Sequence, residues 1–89
     1  MSGTDDVTYV VVSIMAELAG IDSSRIKSDD RLLQDLGITG DDLTFVFVPS
    51  AERKLGVRIA AGEWGHVSTV GDAIYLLSTA ALQGRTQAS

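Results

Sequence analysis

The sequence predicts a small all-α bundle of three main helices plus one or two short helices, with a long loop between the first and second. Three observations predict it. Apolar residues recur at spacings of three and four in three separate stretches, no stretch alternates apolar and polar residues as a half-buried strand would, and glycines close the stretches at Gly20, Gly56 and Gly84. With 89 residues the chain suffices for one domain, residues 1–89, with a folded part of about 4–82 and loose ends at 1–3 and 83–89.

The first helix starts near Thr4, a residue able to cap, and Asp5 and Asp6 suit the positive end of the helix dipole. Val7, Val10, Val11, Ile14, Met15 and Leu18 follow at helical spacing. The β-branched run Val10–Val12 would suit a strand, but the helical pattern continues past it to Ala19. Residues 21–40 form a long connection with sparse apolar anchors, Ile21, Ile26, Leu32, Leu33 and Leu36, and a short turn is expected at Asp29–Arg31.

The second helix opens at Asp41 or Asp42 and places Leu43, Val46, Phe47, Ala51 and Leu55 on one side. Pro49 interrupts it. Proline removes a backbone donor and clashes with the carbonyl four residues earlier, that of Phe45, at a cost of ~3 kcal/mol or more. The helix is therefore expected to kink near residues 45–49 or to divide there. Val57–Ile59 are extended in character, and Ala60–Trp64 suit one short turn. In the last helix Thr69 caps and Asp72 takes the acid position of a capping box. Val70, Ala73, Ile74, Leu77 and Ala81 form its stripe, widened by Tyr75 and Leu76.

Composition excludes several functions. Without cysteine there are no disulfides, thiolate metal sites or cysteine nucleophiles. Net charge is −5, and residues 1–45 hold nine acids against three bases, so nucleic acid is a poor partner and a basic protein surface a better one. The start of the chain is acidic rather than signal-like, and the stretch from Val7 to Ala19 is too short and mixed to enter a bilayer stably. A cytoplasmic monomer is expected. No phosphate loop, nucleophile elbow or zinc motif is present, and Asp29–Asp30 and Asp41–Asp42 lack the alternating ligands of a calcium loop. No metal site or catalytic residue is assigned, and the chain is read as a non-enzyme. Trp64 is expected in the core, and the lone His66 at the surface.

The order of elements resembles the acyl carrier protein family. The resemblance spans roughly Val7 to Leu82. It is carried by Asp35-Leu36-Gly37, by Lys54-Leu55-Gly56-Val57-Arg58-Ile59 a helix length later, and by Ser68-Thr69-Val70-Gly71-Asp72-Ala73-Ile74. The family holds acyl groups as thioesters on a 4′-phosphopantetheine arm, attached to the serine of an Asp-Ser-Leu motif at the start of the second helix, where the helix N-terminus favours phosphate.

Here the sequence departs from the family. Eighteen residues separate Gly37 from Gly56, one more than the commonest family pattern. Counting back from Gly56 puts Asp41 at the serine position, and matching on Asp-x-Leu puts Asp42 there. A carboxylate cannot replace a hydroxyl in attack on the pyrophosphate of coenzyme A. At a helix start it serves as a cap, worth ~0.3–1 kcal/mol. Thr39 is the fallback attachment hydroxyl. The expected function is thus a carrier-like, non-catalytic binding module that docks a protein partner, with an acyl-processing enzyme as the candidate, and with no cofactor. The alternative is an atypical acyl carrier of fatty-acid or polyketide type, with phosphopantetheine. The candidate partner face comprises Asp35, Asp41, Asp42, Phe45 and Val48, the last two lying off the Leu43/Phe47/Ala51 stripe.

Overall fold

The structure, a computed structural model, describes residues 3–88, with side chains from 6 to 82 apart from that of Ala61. Helix α1 spans Gly3–Ala19. Helix α2 runs continuously over residues 40–55, as Gly40–Asp42, a π-helical turn Leu43–Phe47, and Val48–Leu55. Helix α3 spans Val70–Ala88. Short 3-10 turns lie at Ser23–Arg25 and Ala61–His66. Among the described residues there is no strand, only an isolated bridge between Arg31 and Thr69. No helix among them is long and apolar enough to cross a membrane.

The core is made by one stripe from each helix. Val7, Val11, Ile14 and Met15 of α1 meet Leu43, Phe47 and Ala51 of α2 and Val70, Ala73 and Leu77 of α3, and all are buried. Trp64, from the second 3-10 turn, closes one side with its ring edge-on to Phe47, centroids 5.7 Å apart at 80°. Such an arrangement sets the positive ring edge against a negative face. The α1 stripe lies where its periodicity places it, so the helical pattern overrides the β-branched run at Val10–Val12. Tyr75 does not widen the α3 stripe. It is 75% exposed, because it sits between the buried Ala73 and Leu77 and so faces away. The backbone stays helical through Ala88, past the expected end at Gly84. A glycine in a helix costs ~1 kcal/mol relative to alanine but ends it only by turning left-handed. Gly20 and Gly56 do turn, with φ of +72° and +67°, and the amides of Gly20 and Val57 return to Ala16 and Glu52 carbonyls at 2.9 and 3.1 Å. The expected loose end Met1–Ser2 and the final Ser89 lie outside the described residues.

The long loop is tied to α3. Leu32 N–H donates to Ser68 O at 2.9 Å, Val70 N–H to Asp30 O at 3.0 Å, and Gly71 N–H to Ser28 O at 2.8 Å. Two otherwise unpaired amides of the α3 first turn are satisfied in this way. Asp72 N–H finds Thr69 Oγ1 at 3.1 Å, completing the expected capping box. The loop turns at Lys27–Asp30, overlapping the expected turn, with Asp30 N–H donating to Lys27 O at 3.1 Å, and again at residues 31–37, where the Asp35 carboxylate accepts the Arg31 amide at 2.7 Å. That turn buries Leu32 and Ile38 but leaves Leu33 59% exposed, so Leu33 is not an anchor. Gly71 needs its missing side chain: a Cβ there would lie 3.1 Å from the Ser28 carbonyl oxygen. Gly71→Val is expected to break this junction and cost about 1–3 kcal/mol, read as a lowered urea midpoint.

Candidate functional site

The start of α2 is built from its own sequence. Thr39 is the N-cap, extended at φ −79° and ψ 169°. Its Oγ1 accepts the Asp42 amide at 3.1 Å, and the Asp42 carboxylate accepts the Thr39 amide at 3.5 Å. This reciprocal pair is a capping box with aspartate in the acid position. The helix thus opens at Gly40, one residue before the expected start. The amides of Gly40 and Asp41 have no acceptor among the described residues. Beside them lies a shallow cleft of ≈260 Å³ whose lining includes Leu33, Ile38, Thr39, Gly40, Leu43 and Val67.

The backbone stays helical across Pro49, which falls in the first turn of the α-helical stretch Val48–Leu55, the position expected if the helix divides there. The turn before it widens. Val48 N–H donates to Leu43 O, five residues back, where an α-helix would use the fourth. Widening moves the Phe45 carbonyl out of the path of the proline ring, and the missing proline amide leaves no donor unpaired. The same turn re-aims its side chains. Val48 is drawn to the Leu43 side and packs half-buried against the core, while Val46 swings out to 43% exposure. Phe45 is 73% exposed, and Pro49 is exposed one turn on.

The candidate face is therefore only partly assembled. Asp41 and Phe45 lie one turn apart, both exposed. Val48 is not on that face, for the reason given. Asp42 is half-buried and spent on the cap. Asp35 is exposed but tied to the loop. The Arg31 amide on its carboxylate, followed by the Arg31 guanidinium 3.4 Å away, holds its pKa below the usual carboxylate value. Val46 and Pro49 join the face instead. Pro49 itself was the available signal, since a proline in the middle of a helix demands a local widening or break. Trp64 is buried and His66 exposed, as their sequence settings suggest. Among the described residues no three histidine, aspartate or glutamate side chains converge for a metal ion. Phe45→Ala removes little packing, so its unfolding free energy should stay within ~0.5 kcal/mol of the parent, a check on this exposure by urea titration.

A three-helix bundle with a long first loop and a capped second-helix start is the architecture that the sequence resemblance implies. No family model matches the chain. It is 34% identical over 77 residues to the acyl carrier protein of Acidothermus cellulolyticus, covering 85% of this chain and 89% of that one. It is 31% identical over 74 residues to that of Thermotoga maritima, covering 83% and 90%. With that of Arthrobacter sp. it shares 29% over 80 residues, covering 90% and 98%. The chain belongs to the acyl carrier protein family.

Proposed function

We propose that this protein is an acyl-carrier-type binding module that works without a phosphopantetheine arm and docks a protein partner through the exposed side of α2. It performs no catalysis of its own and works in the cytoplasm. The observation that carries this reading is the α2 start. Its residues Gly40, Asp41 and Asp42 offer no hydroxyl, the hydroxyl of Thr39 before them caps the helix, and that of Thr44 lies inside the helix, a turn past its start.

The π-turn sharpens which residue stands in place of the serine. Counting back from Gly56 to Asp41 passes through the widened turn. If the extra residue of the 37–56 segment is the one absorbed there, the count must run forward from Gly37. A pattern one residue shorter, with its serine fifteen before the second glycine, has that serine three after the first, at Gly40. A Gly40→Ser variant should then accept the arm from a broad-specificity phosphopantetheinyl transferase, and Asp41→Ser and Asp42→Ser should not. Modification of Asp41→Ser alone would reverse the assignment.

An exposed Phe45 motivates the docking half of the proposal, because a large apolar side chain in water beside a polar rim marks contact surface. The test is a photo-crosslinking amino acid at position 45, used in the native host. A discrete adduct, absent when the same group replaces the exposed Glu17 of α1, is expected. Equal labelling from both positions would count against docking through α2.

A second reading, an atypical acyl carrier, draws on Thr39. This residue is exposed and sits beside two free amides at a helix N-terminus, an arrangement suited to a phosphate. It would work with acyl-processing enzymes, and its arm would vanish in a Thr39→Ala variant.

A further inference from the structure

We propose that α2 pairs antiparallel with α2 of a second copy, about a two-fold axis at Phe47. The inference stands apart from the partner reading above.

It starts from one ridge. Asp41, Phe45, Pro49 and Arg53 recur every four residues along α2, and all four are exposed. A row at this spacing is one of the ridges by which helices pack. The row runs acid, aromatic, proline, base. Reversed and laid on itself, it matches. Residues whose numbers sum to 94 meet: Asp41 opposite Arg53 of the other copy, Phe45 opposite Pro49, and the same two contacts again across the axis. A two-fold interface requires such self-complementarity, each patch supplying what its twin lacks.

The remaining charges of α2 do not oppose this. Asp42 and Glu52 also have numbers summing to 94 and carry like charge, but both are half-buried and their carboxylates are drawn away from the exposed ridge. The Asp42 carboxylate serves the Thr39 amide, and the Glu52 carboxylate accepts the Ile59 amide at 2.9 Å, on the loop side of the helix. Arg53 and Lys54 are exposed with no ion pair among the described residues, so Arg53 is available to Asp41 of the other copy. Val46, turned outward by the π-turn, adds apolar area beside Phe45.

The pairing is weak by construction. One helix ridge buries well under the ~1,200 Å² of a stable interface, so a dissociation constant on the order of 0.1–1 mM is expected. Each copy also carries −5, which opposes association away from the ridge. At low concentration the protein is the expected monomer, and the pairs form as it is concentrated.

The test uses the full chain in sedimentation equilibrium and ¹⁵N relaxation, from roughly 20 µM to 2 mM to bracket that constant. The average mass and the rotational correlation time should rise together towards a dimer. Phe45→Ser should weaken pairing about tenfold. Asp41→Arg and Arg53→Asp should each do the same, by setting like charges opposite one another twice per dimer. The double variant Asp41→Arg/Arg53→Asp should recover to within about threefold of the parent, since it restores opposite charges in the antiparallel register. An equal mixture of the two single variants should pair although neither does alone. Circular dichroism confirms folding, which these exposed positions leave intact. A parent that stays monomeric at 2 mM, or a double variant that fails to recover, overturns the proposal. Neither result would touch crosslinking to a different protein from position 45.

Discussion

Phe47→Ala should lower unfolding stability by about 3–5 kcal/mol, the largest effect of any single truncation in α2. Phe47 is fully buried, belongs to the core shared by all three helices, and holds Trp64 edge-on. It is also the last residue of the π-turn, so its neighbours cannot shift along a regular helix to fill the void. Against a typical total of about 5–15 kcal/mol, such a loss leaves a protein near the edge of folding at room temperature. Urea denaturation followed by Trp64 fluorescence measures it. An unchanged slope with a much lower midpoint is expected. A change comparable to that of Phe45→Ala would mean that Phe47 is not the centre of the core.

Asp72→Ala should cost about 1–2 kcal/mol, more than a typical surface change. Its carboxylate accepts the Ser68 amide at 3.1 Å, the Ser68 hydroxyl at 3.2 Å and the Thr69 amide at 3.2 Å, holding the loop against the start of α3. Those donors, the Ser68 amide first, favour the ionised form and lower its pKa below 3.8. The sign follows. A carboxylate with a lower pKa when folded binds fewer protons folded than unfolded, so its stabilisation is fully present above 3.8. It is lost as pH falls through the lower folded value. Asp35 works the same way, through the Arg31 amide and guanidinium. The gap between the parent and Asp72→Ala should therefore be constant near neutral pH and shrink only in acid. Thermal unfolding across a pH series reads this, and a gap that closes near pH 6 would assign the effect elsewhere.

Much of the fold was legible because the outer helices obey a single period. In α1 and α3 the apolar residues face one side, the breaks carry glycine, and the Thr69–Asp72 cap stands at its usual spacing. Side chains with one polar and one apolar neighbour at helical distance were harder. Tyr75 and Leu33 read as core because they are large and apolar, yet backbone direction points both outward. The middle of α2 resisted for a physical reason. From Leu43 to Val48 nearly every residue is apolar, so period carries no information about facing. The proline signals only that regular hydrogen bonding must yield somewhere. A wider turn satisfies the proline without breaking the helix, and it exchanges the expected places of Val46 and Val48. The candidate site inherits that ambiguity. A missing serine is visible in the sequence, but which residue stands in its place depends on where the extra residue is absorbed. The use of Thr39 Oγ1 as a cap emerges only from its geometry.

The most direct measurement is the intact mass of the protein after incubation with coenzyme A and a broad-specificity phosphopantetheinyl transferase, beside an ordinary acyl carrier protein as control. With the control fully converted, the mass of this protein should remain that of its sequence. A gain of one phosphopantetheine, abolished in Thr39→Ala, would contradict an armless module and make the protein a carrier.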